Sequence, residues 1–208
     1  MTTETKQAQT QETLPDRTLT IKCTPTLIWH GTNPNNIGAT IAFDETDSVP
    51  NMPNAVDSKG NIDLSRLPQK NRYSDNIDIT FVLDPSELKD ANGNPITGSN
   101  VLRWATANEG PTYVENGITK HLGYGWFCHI NSLDPFSYNT TPPITIPNMT
   151  WLRENDTTLV LDDDTPLNSP VYAFMLAFVL PEYGNYYISV DPRIGTKGAG
   201  INSFMLKN

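Results

Sequence analysis

Three kinds of side chain carry whatever chemistry this sequence can perform: carboxylates in runs, aromatics beside polar residues, and scattered histidines. The run Asp162-Asp163-Asp164 follows the apolar Leu159–Leu161, and Asp44, Glu45 and Asp47 close another apolar segment. Calcium takes about six to eight oxygen ligands, so carboxylates where a strand gives way to a loop define a candidate site. Asp162, Asp163 and Asp164 are its expected ligands, with a solvated turn as the competing reading. Asp90-Ala91-Asn92-Gly93-Asn94 has a superficial EF-hand look, but its glycine is misplaced and no closing glutamate follows. Asn92-Gly93 reads instead as a tight hairpin turn.

Aromatics supply the second constellation. A glycan site sets a flat apolar ring beside Asp, Asn and backbone groups that pair with hydroxyls. Trp151, Arg153 and Asn155 make one such candidate set, and Tyr183, Tyr187, Asp191 and Arg193 make another. Ordinary core packing is the alternative for both. His30, His121 and His129 lie far apart and match no metal-binding pattern. His129 follows Cys128, but neighbours on a strand point to opposite faces, which rules against a thiol–imidazole pair. No GxSxG elbow, P-loop or dinucleotide fingerprint occurs, and Gly198-Ala199-Gly200 reads as a flexible loop. We therefore expect a protein that is not an enzyme. An enzyme that gathers histidines and carboxylates from distant strands is the remaining alternative.

The elements that would position these groups are strands. Seventeen prolines punctuate the 208 residues, and the longest proline-free interior stretch, Thr112 to Asp134, is broken by Gly117, Gly123 and Gly125. A proline costs a helix interior roughly 3 kcal/mol and a glycine about 1 kcal/mol, so few windows can hold a helix. Period-two alternation confirms the choice. Leu19, Ile21 and Cys23 alternate with Thr18, Thr20 and Lys22, and Ile77, Ile79, Phe81 and Leu83 alternate with Asp78, Thr80 and Val82. Ile37–Phe43 and Tyr124–Ile130 behave likewise, and shorter strands are expected at Thr26–His30, Val101–Ala105, Pro143–Ile146 and Thr157–Asp162. The expected fold is all-β: an antiparallel β-sandwich, jelly-roll or immunoglobulin-like, with long loops and little helix. Val171–Leu180 is wholly apolar between two prolines. It reads as the central strand of a hairpin with Tyr186–Val190, because Val, Tyr and Phe favour strands; a short capped helix is the alternative.

Residues 1–17 are too polar to bury surface and read as a flexible tail, or as an arm that orders against a neighbouring subunit. Residues 18–208 read as one sandwich domain, with a long polar connection from Asp44 to Asp75. A net charge of −9 argues against nucleic acid as a partner, since phosphate binding needs clustered Lys and Arg. No apolar run is long enough to span a membrane. The opening residues lack the basic and apolar regions of a signal peptide, so cytoplasmic residence is expected. Cys23 and Cys128 sit on alternating apolar faces and read as buried free thiols. Three Asn-x-Thr sequons, at Asn139, Asn148 and Asn155, are expected to be inert.

The C-terminal pattern, an apolar strand, a polar turn with Gly184, then Tyr186-Tyr187-Ile188-Ser189-Val190-Asp191-Pro192-Arg193-Ile194, resembles the closing strands of the AidA/PixA family of bacterial proteins. Ile77-Asp78-Ile79-Thr80-Phe81-Val82-Leu83-Asp84 is similar to that family's opening Ile-Asp-Val strand, and Val101-Leu102-Arg103-Trp104 to its internal Arg-Trp strand. The resemblance covers roughly residues 75–194; the spacing between the first two matches is shorter than the family's, and the first 70 residues have no counterpart. It implies a compact β-sandwich made in bulk, stored as cytoplasmic inclusion bodies, and built into a homo-oligomer or higher assembly. It carries over no catalytic residue. Abundant Asn and Thr with few long charged side chains suit such packing, because flexible side chains resist contacts through their entropy. The functional expectation is a self-assembling, inclusion-forming protein with carbohydrate binding as a further activity. A lectin-like or toxin-associated glycan-binding module is the alternative.

Overall fold

The structure is a computed structural model, and it describes residues 14–33, 36–51, 54–64, 72–98, 100–128, 143–165, 171–188 and 193–195. The tail expected at residues 1–17 therefore falls mostly outside the described residues, as do His129, Asp191 and Gly198–Gly200. Among the described residues the fold is all-β, with one short 3-10 turn at Pro181–Tyr183.

β1 (Arg17–Trp29) and β2 (Ile37–Val49) form a long antiparallel hairpin with a bulge between Thr20 and Ile21. After β3 (Ile62–Asp63), β4 (Ile77–Leu83) returns beside β1 and pairs with it in parallel. β5 (Arg103–Trp104) precedes a separate hairpin of β6 (Thr112–Glu115) and β7 (Ile118–His121), turned by Asn116 and Gly117 at φ 52° and 77°. Two successive positive φ values are the signature of the type I′ turn that matches strand twist. Then follow β8 (Gly125–Cys128), β9 (Met149–Arg153), β10 (Thr158–Asp163), β11 (Tyr172–Leu180), β12 (Asn185–Ile188) and β13 (Arg193–Gly195).

The first sheet runs β2-β1-β4-β10-β9. The second is built on β11, which pairs with β5, β8, β12 and β13, and β3 adds to β13 in parallel. The sandwich is thus antiparallel apart from β1–β4 and β3–β13. The alternation read from the sequence becomes the inner face: Leu19, Ile21, Ile77, Ile79, Phe81, Leu159 and Leu161 are fully buried against Phe174, Leu176, Phe178 and Leu180 of β11. Pro25 does not end β1. The β4 ladder stops at Cys23↔Leu83, so that edge of β1 has no ladder left for a missing N–H to break.

The apolar run Tyr172–Leu180 is a strand, as expected, and the architecture says why both its faces are apolar. Its even-numbered residues enter the sandwich core. Met175, Ala177 and Val179 on the other face are covered by Ala105, Leu122, Trp126 and the ring of Tyr113. The segment carrying β6 and β7 thereby adds a partial third layer. The connection expected from Asp44 is shorter, because β2 continues to Val49.

Two turns share the pattern Asp-x-x-Gly-Asn: Asp57–Asn61 and Asp90–Asn94. In each the Asp backbone N–H donates to the Asn carbonyl and the Gly N–H to the Asp carbonyl. In each, too, the carboxylate accepts backbone N–H groups from inside the turn: Lys59 and Asn61 on Asp57, Asn92 and Asn94 on Asp90. Asp90 is thus consumed by its own turn, as the hairpin reading of Asn92-Gly93 expects.

Candidate functional site

An open concave feature lined by polar groups lies where β2 ends. The bulge leaves Thr46 as an extra residue, whose hydroxyl donates to the Thr20 carbonyl at 3.2 Å. Glu45, Thr46, Asp47 and Ser48 then face Asn51, Asn54 and Val56 across an open cleft of about 510 Å3. Asn54 adopts φ 63°, a left-handed conformation that Asn tolerates better than most residues. Glu45 is the organising group: its carboxylate accepts the Ala55 N–H at 2.9 Å and the Ser48 hydroxyl at 3.3 Å. Asp47, Asn51 and Asn54 line the same cleft. Their chemistry suits hydroxyl donors or a hydrated cation. Asp44, Glu45 and Asp47 were legible as an acidic strand end; the Asn51 and Asn54 contributions were not, because no motif links them to β2.

The run Asp162-Asp163-Asp164 does not converge. Strand β10 turns Asp163 inward, fully buried, where it accepts the Thr165 N–H at 2.9 Å and the Thr165 hydroxyl. Asp162 points to the outer face, directly opposite Asp78 of β4, and Asp164 is exposed beyond the strand. The carboxyls of Asp78 and Asp162 are both pushed upward, first by partial burial and then by neighbouring carboxylates, Asp16 and Asp164 among them. Among the described residues no group of three or more His, Cys, Asp or Glu is gathered closely enough to hold a metal ion.

In the first aromatic set Trp151 and Arg153 lie two apart on one face of β9, and each is engaged within the scaffold. Trp151 packs between the sheets, with ring centroids 5.7 Å from Phe81, 5.5 Å from Phe127 and 5.7 Å from Phe174. Arg153 pairs with Asp156, and Asn155 accepts the Thr157 N–H at 2.9 Å in the β9–β10 turn. These contacts tie the three residues to the core and to the β9–β10 turn.

In the second set, Tyr187 stacks on Phe178 at 5.4 Å, and Tyr183 meets Trp29 edge-on at 5.6 Å. Trp29 is itself fixed by donating to the Lys89 carbonyl at 2.7 Å. The Arg193 backbone lies opposite Ala173, while Tyr183 follows Leu180. Seven residues of extended β11 separate those points, about 23 Å at roughly 3.3 Å per residue. The structure thus brings Tyr183 to Trp29 and removes it from Arg193.

Other titratable groups serve the scaffold. Arg103 holds Glu109 in a two-pronged pair at 2.6 and 2.7 Å, and the Thr106 N–H adds a bond at 2.8 Å. The guanidinium bonds, aided by that N–H, hold the Glu109 carboxyl down to about 2. Burial pushes the Cys23 thiol well up, and Asp44 adds to it. His30 and His121 are exposed, and the His121 ring lies 3.4 Å from the Gly110 carbonyl. Neither cysteine forms a disulfide; Cys23 is buried and Cys128 half-buried.

The sequence matches no family model and no curated protein. No helix among the described residues is long and apolar enough to cross a membrane.

Proposed function

We propose that this chain is a non-enzymatic, self-assembling β-sandwich protein, packed in bulk in the manner that the AidA/PixA resemblance implies. The supporting observation is the pair of open edges on the five-stranded sheet. Among the described residues, β2 and β9 each have a partner on one side only. Unpaired strand edges are templates for another chain, and proteins that stay apart blunt them with Lys, Pro or short edge strands. β2 runs for 13 residues with neither Lys nor Pro. Its blunting features, the bulge at Thr46 and the carboxylates of Asp44, Glu45 and Asp47, all lie in its second half, which leaves Ile37–Phe43 open. Exposed apolar side chains accompany the edges: Ile28 and Val49 on the β1–β2 hairpin and Leu152 on β9. Val114 and Ile118 do the same on the β6–β7 hairpin.

Cytoplasmic inclusions of overproduced full-length chain are the expected cellular form. Microscopy of overproducing cells, with native mass measurement of the purified chain, tests the reading. Dense bodies and masses above one chain are expected; a strictly monomeric chain at high concentration overturns it.

A second reading, glycan binding, is favoured by the cleft of Glu45–Ser48, Asn51 and Asn54, which offers convergent oxygen and amide groups to hydroxyls. A glycan array screened with wild type and Asp47→Ala tests it. Signal lost on substitution supports the reading, and a blank array removes it.

A further inference from the structure

We infer that two copies of this chain pair through the first half of β2, antiparallel and about a two-fold axis at Thr40. The inference rests on the assembly reading above and names its first contact.

Residues Ile37–Phe43 are the half of β2 that carries no charge and no proline, while Asp44, Glu45 and Asp47 occupy the other half. Uncharged, proline-free segments of about seven residues at an exposed edge are the ones that pair with themselves. The segment is also under-supported within its own chain. The β1–β4 ladder stops at Cys23↔Leu83, so Thr24–Trp29 and Ile37–Ala42 continue as a two-stranded ribbon. Two strands alone are marginal in water. A second copy laid along β2 turns the ribbon into four strands and the five-stranded sheet into one of ten.

Side-chain parity and charge fix the register. Ala39, Ile41 and Phe43 share the core-facing side, and Thr40 and Ala42 the exposed outer side. Residues directly opposite in a sheet point to the same face, so pairs whose numbers sum to an even value keep both cores on one side. Centring on Thr40 pairs Ile37 with Phe43, Gly38 with Ala42 and Ala39 with Ile41, using the whole uncharged window. Centring on Ile41 would set Asp44 against Gly38 and Glu45 against Ile37. Parallel pairing in register would stack Asp44, Glu45 and Asp47 on their own copies, which like charges oppose. The acidic half of β2 therefore selects the antiparallel pair.

Cysteine cross-linking of the full-length chain tests this, with Cys128→Ser in every variant to remove the half-buried thiol. Across the axis the two Thr40 Cα atoms lie about 4.5–5.5 Å apart, within disulfide reach. The two Ala42 Cα atoms lie about 14 Å apart along the strand, out of reach. Under mild oxidant, Thr40→Cys is expected to run as a covalent dimer on a non-reducing gel and Ala42→Cys as a monomer. Thr40→Lys, an exposed change that sets two ammonium groups on the axis, is expected to lose the dimer and to melt where the wild type melts when diluted to a single chain. Cross-linking at residue 42 and not at 40 overturns the register. A wild type that assembles while Thr40→Cys stays uncrosslinked and Thr40→Lys assembles unchanged overturns the β2 contact alone. A wild type that is one chain at every concentration overturns the assembly reading with it.

Discussion

Replacing Gly60 with alanine probes how the loop after β2 is held to the core, and its twin turn supplies an internal control. Gly60 and Gly93 occupy the same position of the two Asp-x-x-Gly-Asn turns, at φ +83° and +82°. An L-residue forced into that left-handed region costs roughly 1–2 kcal/mol at either site. Their surroundings differ. A Cβ on Gly93 meets nothing within 4 Å, whereas one on Gly60 would lie 2.8 Å from the ring of Phe43. Phe43 is only 3% exposed and cannot swing away. Overpacking of that kind adds about 1–3 kcal/mol. Gly93→Ala should therefore lose about 1–2 kcal/mol and Gly60→Ala about 2–5 kcal/mol, read from urea unfolding midpoints. Trimming the ring with Phe43→Leu in the Gly60→Ala background should return part of the difference. Equal losses for the two glycine variants, within about 0.5 kcal/mol, would refute the claim that Gly60 is pressed on Phe43.

Four further outcomes follow from the geometry. Glu109, held down to about 2, gives stability that is fully present above its unfolded carboxylate range and lost as pH falls toward 2. Glu109 is 36% exposed, so solvent screening cuts the contribution to about 1 kcal/mol. Glu109→Gln should remove that acid-side loss, measured as unfolding free energy between pH 6 and 2.5. Asp78 and Asp162 have the opposite sign: their carboxyls are raised, so this pair disfavours the folded state at neutral pH and relents as pH falls through their range. Asp162→Asn should gain about 0.2–1 kcal/mol at pH 7 and nothing at pH 3. Trp151→Ala should cost about 3–5 kcal/mol of stability, as an indole lost from between two sheets, and a variant of unchanged stability would return Trp151 to the surface. With its thiol pushed up by burial, Cys23 should resist a thiol reagent in the native protein while Cys128 reacts, so that one equivalent titrates before unfolding and two after.

How far the sequence could be read depended on whether a feature is local. Alternation at Leu19–Cys23 and Ile77–Leu83 shows which side chains face inward, because period two is a property of the strand alone. Val171–Leu180 reads as a strand, but its second apolar face makes sense only once Leu122 and Trp126 are seen lying over it. The β6–β7 hairpin went unread although Asn116-Gly117 is the same turn signal as Asn92-Gly93, because both faces of β7 meet water and its flanking strands show no apolar alternation. Strand direction is not encoded in alternation either, so the parallel pairing of β1 with β4 came only from the fold. The candidate residues show the same limit. Asp162 and Asp163 are adjacent in the chain yet alternate across the sheet, while Asp78, eighty-four positions before Asp162, lies directly opposite it. Chain proximity grouped Tyr183 with Arg193, and the length of β11 parts them.

Self-assembly requires that these sheets meet other copies. Sedimentation velocity of the untagged full-length chain, from dilute to near-saturating concentration, measures that directly. Mass rising from 23.1 kDa to two chains and beyond is the predicted result. A single 23.1 kDa species across the whole range would contradict it.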